Sequence, residues 1–209
     1  QAIDFVETEV THPYFRAPHI YVALPTRFQA DRGSITDIVF MSARPGDHHY
    51  NRLFKKAFIR PGLGEGGWGN RSNYAAWHVV PTSDSEMSIY LHGGRHYTLR
   101  YDGFISVHAD FEEGEFVTKP LTFAGDRLEV NYSTSAAGGI RVEIQDAARR
   151  PIDGLSLADS EVLYGDEIRH VVNWKESSEL GEQSGRTVRL RFVMREADLY
   201  SLRFFASKE

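Results

Sequence analysis

Residues 188–193 read VRLRFV and residues 199–205 read LYSLRFF. Apolar and polar side chains alternate with a period of two, so Val188, Leu190 and Phe192 should point one way and Arg189 and Arg191 the other. One buried face and one wet face mark an antiparallel strand in a sandwich, with residues 195–198 as the connecting hairpin. Residues 127–132 (RLEVNY) and 140–144 (IRVEI) repeat the pattern, joined by a loop of small residues, 133–139. On this reading Phe192, Tyr200, Phe204 and Phe205 belong to a core. Arg141, Glu143, Arg189 and Arg191 form the wet face, and Trp174 packs at the edge.

Upstream of these runs the strands are shorter and more closely spaced. Residues 19–24 (HIYVAL) stop at Pro25, and residues 37–41 (DIVFM) are apolar enough to be covered on both faces. Residues 76–80 (AWHVV), 86–91 (EMSIYL), 97–101 (YTLRY) and 104–107 (FISV) follow, separated by turns rich in Gly, Pro, Ser and Asp. Trp77 reads as a core residue of its strand. The one stretch with helical character is 177–182, a turn or two at most. The chain is therefore expected to be all-β. An acidic, glycine-containing stretch at 110–115 (DFEEGE) places a boundary between residues 1–110, with short strands, and 111–209, with long alternating ones. Residues 21–41 and 76–101 share a plan of strand, polar turn, strand, as propeller blades do at about four strands per ~40–50 residues.

Composition narrows the function classes. The 209 residues are 41% hydrophobic and 25% charged, which excludes a disordered or collagen-like chain. A net charge of −5 argues against general nucleic-acid binding, which needs a basic face. The absence of cysteine removes disulfides, thiolate metal sites and cysteine nucleophiles. No apolar run approaches the ~18 residues that span a bilayer, so no membrane partner is expected. The nine histidines offer no ligand pattern: His48 and His49 are adjacent and face opposite ways on a strand, and His92 and His96 flank a Gly-Gly loop. No metal and no cofactor are expected.

The strings RAPHIYVALPTRF, IVFMSARPGDHHYNR, WGNRSNYAAWHVVPT, YTLRYDGFISVHA, TKPLTF, LEVNYSTSAAGGIRVEIQDA and VRLRFVMREADLYSLRF resemble the C-terminal portion of bacterial glycoside-hydrolase-like proteins related to families 32 and 43. Those proteins carry a five-bladed β-propeller followed by a β-sandwich. The resemblance implies that residues 1–110 are the last blades of an incomplete propeller and residues 111–209 its antiparallel β-sandwich. The missing blades would precede Gln1, together with any export signal, so localisation is not readable here. It further implies carbohydrate as the partner, and either self-association or a companion polypeptide for the open blades.

Glycoside hydrolysis needs two carboxyl groups flanking one bond. Glu86, in PTSDSEMSIY, stands where a blade strand could present it to a central funnel, or is simply a solvated carboxylate at a strand entrance. Asp47, in SARPGDHH, is the second candidate. Relatives often carry Arg-Asp-Gly at this turn, whereas this chain reads Arg44-Pro45-Gly46. Because the family's nucleophile comes from an early blade, the 209 residues alone are expected to lack a full catalytic set. Sugar binding asks only for an aromatic ring beneath the C–H face of the sugar and bidentate groups at its rim. Residues 68–77 (WGNRSNYAAW) supply Trp68, Arg71, Asn73 and Tyr74 after a glycine-rich run, and Arg44 and His48 flank Asp47 to complete the candidate set. Two functions remain: a part of a glycosidase that handles carbohydrate, or a non-catalytic carbohydrate-binding or structural β module.

Overall fold

In the computed structural model, residues 5–6, 10–175 and 177–207 are described. Among them the regular structure is all-β apart from four short 3-10 turns. The chain divides into two compact units, Gln1–Tyr101 and Asp102–Glu209. The division falls ahead of the acidic stretch 110–115, which lies inside the second unit because the strands on either side of it pair with the same partner.

The first unit contains β1 (Phe5–Val6), β2 (His12–Tyr14), β3 (Ala17–Ala23), β4 (Thr26–Gln29), β5 (Ile35–Ile38), β6 (Met41–Ala43), β7 (Val80–Pro81), β8 (Glu86–Tyr90) and β9 (His96–Arg100). They form three antiparallel three-stranded sheets, in the orders β1-β4-β5, β2-β3-β6 and β7-β8-β9. Residues 37–41, read as one strand, are shared between two sheets. Ile38 ends β5, the Val39 amide donates to the Pro25 carbonyl (3.0 Å), and Met41 begins β6. Ile38 and Val39 are fully buried at that crossing. The β4–β5 hairpin is fastened by Arg27, whose guanidinium donates to both oxygens of its cross-strand neighbour Asp37 at 2.9 and 2.6 Å.

The run 76–80 is not a strand, and Trp77 is not a core residue. His78 adopts a left-handed backbone (φ 72°), which breaks the extended path, and the strand starts only at Val80. Trp77 is consequently turned outward and is 65% exposed.

The second unit contains β10 (Val107–Ala109), β11 (Gly114–Val117), β12 (Arg127–Asp146), β13 (Asp166–Val171) and β14 (Val188–Phe205). It is one antiparallel sheet in the order β10-β14-β12-β13, with β11 also pairing β14. Two expectations are corrected here. Residues 133–139 are not a loop between strands, and residues 195–198 are not a hairpin: both stretches lie within continuous strands of 20 and 18 residues. The pairing passes from Thr134↔Ala197 to Gly139↔Arg195, so residues 135–138 form a bulge opposite Glu196, whose φ is 41°. A Cβ on Gly138 would lie 2.4 Å from the Glu196 carbonyl oxygen, so only glycine lets the two strands approach there.

The bulge also resets which face is buried. Val188, Leu190, Phe192 and Met194 are buried before it, Ala197 and Leu199 after it, and a second shift opposite Asn131/Tyr132 hands the inner face to Leu202 and Phe204. One cluster unites these with Leu128, Val130, Tyr132, Ile140, Val142 and Ile144 from β12. Trp174 packs into this core and donates its indole N–H to the Val142 carbonyl (2.8 Å). The opposite face is less wet than its charges imply. Glu143 is only 3% exposed and accepts from the Gln145 side chain (2.8 Å) and the Leu157 amide (3.1 Å). Glu129 is buried beneath a two-pronged contact from Arg203, its neighbour in register, at 2.8 and 3.0 Å.

Candidate functional site

Glycines shape the segment 62–69 of the first unit. Gly62 and Gly64 take left-handed φ values of 83° and 90°, and a 3-10 turn follows at Glu65–Trp68. Gly67 lies so close to Pro61 that a Cβ would sit 2.1 Å from the Pro61 carbonyl oxygen. This tight return lets the Trp68 indole N–H donate to the Gly62 carbonyl at 2.8 Å. The ring remains 60% exposed. Trp68 is therefore a fixed aromatic face open to solvent, its polar edge already satisfied by its own loop.

Two buried or half-buried polar groups hold that loop. Asn73 is 1% exposed: its carboxamide donates to Thr36 O (2.6 Å) and Gly67 O (2.9 Å) and accepts from the Arg95 guanidinium (2.5 Å). Its backbone amide donates to the Thr36 hydroxyl (2.9 Å), and its carbonyl accepts from the Thr26 hydroxyl (3.1 Å). Arg95 donates in addition to the carbonyls of Pro61 (3.1 Å) and Ser72 (2.9 Å). The sequence did not single out Arg95. No local signal marks it, since its partners Pro61, Ser72 and Asn73 lie 22 to 34 residues away in sequence.

Trp68 and Asn73 thus belong to one assembly, with Asn73 as its buried anchor. Arg71 is exposed, has a left-handed backbone (φ 51°), and lays its guanidinium 5.1 Å from the centre of the Phe28 ring. Its amide donates to the Ser34 carbonyl (3.0 Å), which fixes the chain beside the β4–β5 hairpin. Tyr74 is half-buried, and its carbonyl accepts from the His92 amide (2.9 Å).

The two carboxylate candidates occupy separate local networks. Asp47 closes a turn: its amide donates to Arg44 O (3.0 Å), its side chain accepts from the Arg44 amide (3.2 Å), and Gly46 takes φ 86° after Pro45. Arg44, Asp47 and His48 are all exposed. Glu86 is exposed at the first position of β8, directly across from Arg100, and its amide donates to the Ser83 hydroxyl (2.9 Å).

A second aromatic surface lies at Trp77. Its indole N–H donates to Thr11 O (3.2 Å), its ring lies 4.0 Å from that of His78, and His78 lies 4.6 Å from His12. His12 is buried and accepts from the Val79 amide through Nε2 (3.1 Å) while Nδ1 faces the Val10 carbonyl (3.1 Å). That pair of contacts requires the neutral imidazole with its proton on Nδ1. Burial lowers the His12 pKa below the ordinary 6.5, the Val10 carbonyl opposes the shift, and nearby His78 adds to it.

Among the described residues no group of three or more His, Asp or Glu is placed to hold a metal ion. None of their helices is long and apolar enough to cross a membrane. The chain matches no protein-family model and no curated protein. Among solved structures it is similar to an arabinoxylan arabinofuranohydrolase of glycoside hydrolase family 43 from Bacillus subtilis, crystallised with cellotetraose. The identity is 12% and the TM-score 0.28, over 96% of this chain and 54% of that one. The chain spans about half the length of that enzyme, and the likeness is a weak one at the level of fold.

Proposed function

We propose that this chain is a carbohydrate-binding part of a glycoside-hydrolase-like protein, with the first unit supplying the last blades of a propeller and the second its sandwich. The observation that carries the reading is Trp68. Its ring is open to solvent yet held in place by the hydrogen bond to Gly62 and by the Asn73–Arg95 anchor beneath the loop. A ring fixed before binding loses little conformational freedom when a pyranose stacks on it. Arg71, with Arg44 and His48 as further exposed groups, supplies donors suited to hydroxyl oxygens.

Binding without turnover is the expected behaviour. Asp47 is engaged with its own turn and Glu86 opens β8 in another stretch, and among the described residues the two share no hydrogen-bond partner. Affinity electrophoresis through gels containing xylan, arabinan or fructan tests the reading. The chain should be retarded by at least one polymer, and Trp68→Ala should abolish the retardation without hydrolysis appearing in either protein. Migration unaffected by every polymer would leave a structural β module. Exposed Leu53, Phe54 and Leu63 support association with a companion chain or a second copy, so light scattering should show more than a monomer.

A further inference from the structure

Residues 48–64 of the first unit hold four cationic side chains, Arg52, Lys55, Lys56 and Arg60, and no acidic one, in a chain whose net charge is −5. Lys55, Lys56 and Arg60 are exposed, and among the described residues none of the three has an ion-pair partner. Leu53 and Phe54 stand among these charges, 74% and 51% exposed, with the Lys56 ammonium 5.7 Å from the centre of the Phe54 ring. The loop is rooted at both ends. Ser42 and Asn51 exchange backbone hydrogen bonds at 3.0 and 2.7 Å, and Ile38 and Ile59 do so at 3.1 Å. Nearer the tip, the Lys55 carbonyl accepts from Arg27 (2.9 Å) and Arg52 (3.0 Å). Apolar side chains held out in water among uncompensated charges mark a contact surface.

The second unit carries a feature of matching shape and opposite sign. Residues 110–113 (DFEE) join β10 to β11, and both strands are held by β14, through Ala109↔Ala197 and Gly114↔Met194. The Glu196 amide donates to the Asp110 carbonyl (2.9 Å), and the Asp110 carboxylate accepts from the Phe111 amide (2.9 Å). Phe111 is 68% exposed between Asp110 and Glu112, themselves exposed, and Glu113 reaches Arg141 only at 3.9 Å. Each loop thus presents an aromatic ring flanked by charges of one sign, and the signs are opposite. Because both are rooted, joining them requires little ordering of the backbone.

We propose that the partner of the basic loop is a second copy of this chain, which docks its acidic loop there: Phe111 packs against Leu53 and Phe54, and Asp110 and Glu112 meet Lys55, Lys56 and Arg60. The contact is heterologous, one patch on each copy meeting a different patch on the other. It deepens the association proposed above by naming the surfaces, and it is independent of the sugar platform. Sedimentation velocity of the full chain over a concentration series tests it. The native chain should associate, and the pair Lys55→Glu with Lys56→Glu should weaken association about tenfold or more, as should Glu112→Lys with Glu113→Lys. Mixing the two charge-reversed chains should restore association between them. Phe54→Ser and Phe111→Ser should each weaken it with the charges intact, and Trp68→Ala should leave it unchanged.

A chain that stays monomeric at every concentration would overturn the proposal. If that monomer cosediments with phosphatidylserine vesicles and the Lys55 and Lys56 reversal releases it, the loop belongs to an anionic lipid surface instead. Association indifferent to both reversals would assign it to other surfaces, and reversed chains that each fail alone and do not recover on mixing would refute the pairing of these two loops. Retardation by polysaccharide together with any of these results leaves the Trp68 reading standing while this one falls. All four charge-reversed positions are exposed, and circular dichroism verifies their folding. Should a reversed chain fail to fold, Phe54→Ser and Phe111→Ser decide.

Discussion

Replacing Gly67 by alanine tests the idea that the Trp68 loop is held in one conformation. The new Cβ would lie 2.1 Å from the Pro61 carbonyl oxygen and 3.0 Å from its carbon. Backbone cannot rotate aside as a side chain can, so the loop must open by roughly 1 Å to restore ordinary contact. That displacement works against two hydrogen bonds, Arg95 to Pro61 O (3.1 Å) and Asn73 to Gly67 O (2.9 Å). Losing much of both, with the overpacking strain, should cost about 2–4 kcal/mol. Gly66→Ala is the control: its Cβ would meet nothing within 4 Å, and the change should stay within about 0.5 kcal/mol. Urea unfolding followed by tryptophan fluorescence is the assay, since Trp68 and Trp77 report on the first unit and Trp174 on the second. A Gly67→Ala protein with an unchanged midpoint and unchanged Trp68 emission would refute the picture of a loop clamped against Pro61.

Three further outcomes follow from single contacts. His12 is held neutral with its pKa below 6.5, so the folded state binds fewer protons than the unfolded chain in mild acid. Its contribution is complete above about pH 6.5 and declines as the pH falls below that value. The first unit's unfolding midpoint should therefore drop between pH 7.5 and 5.5, about the window of histidine titration, and His12→Gln should flatten the dependence. In the second unit, burial and then the nearby acidic groups, Glu167 and Glu161 foremost, push the Tyr132 phenol up to about 12. Stability from that group is present below its unfolded pKa near 10 and lost as the pH rises toward 12; ultraviolet titration should lack one late phenolate in Tyr132→Phe. Arg203→Ala removes the two-pronged guanidinium contact on buried Glu129 and should cost about 1–3 kcal/mol by urea unfolding, against about 0.5 or less for Arg141→Ala, whose 3.9 Å pairing with Glu113 is exposed.

Strand content was legible because its signal is local. The alternation in 188–193 predicted the inner face Val188, Leu190 and Phe192, all of which are buried. Continuity was not legible. Residues 133–139 have the small side chains of a loop, yet the same smallness lets a bulge pass within a strand, and only the partner strand shows which occurs. The same limit explains Glu143, whose charge marks it for water although Leu157 and Gln145 enclose it. Trp77 failed for another reason. The pattern AWHVV assumes an extended backbone, and the left-handed turn at His78 removes that assumption. At the candidate site, Trp68 and the glycines before it were readable from composition. The anchor was not, because Arg95 and Asn73 meet across 22 residues of sequence.

The indole N–H resonance of Trp68 offers the most direct measurement. The chain has three tryptophans, so a nitrogen-proton correlation spectrum should show three such signals, and Trp68→Ala identifies the one that matters. Titrated with xylan-, arabinan- or fructan-derived oligosaccharides, that signal should move in a saturable way, and the same sugars should lose affinity for the Trp68→Ala chain. A Trp68 resonance that stays fixed through saturating concentrations of all three would contradict the assignment of this loop as a sugar platform.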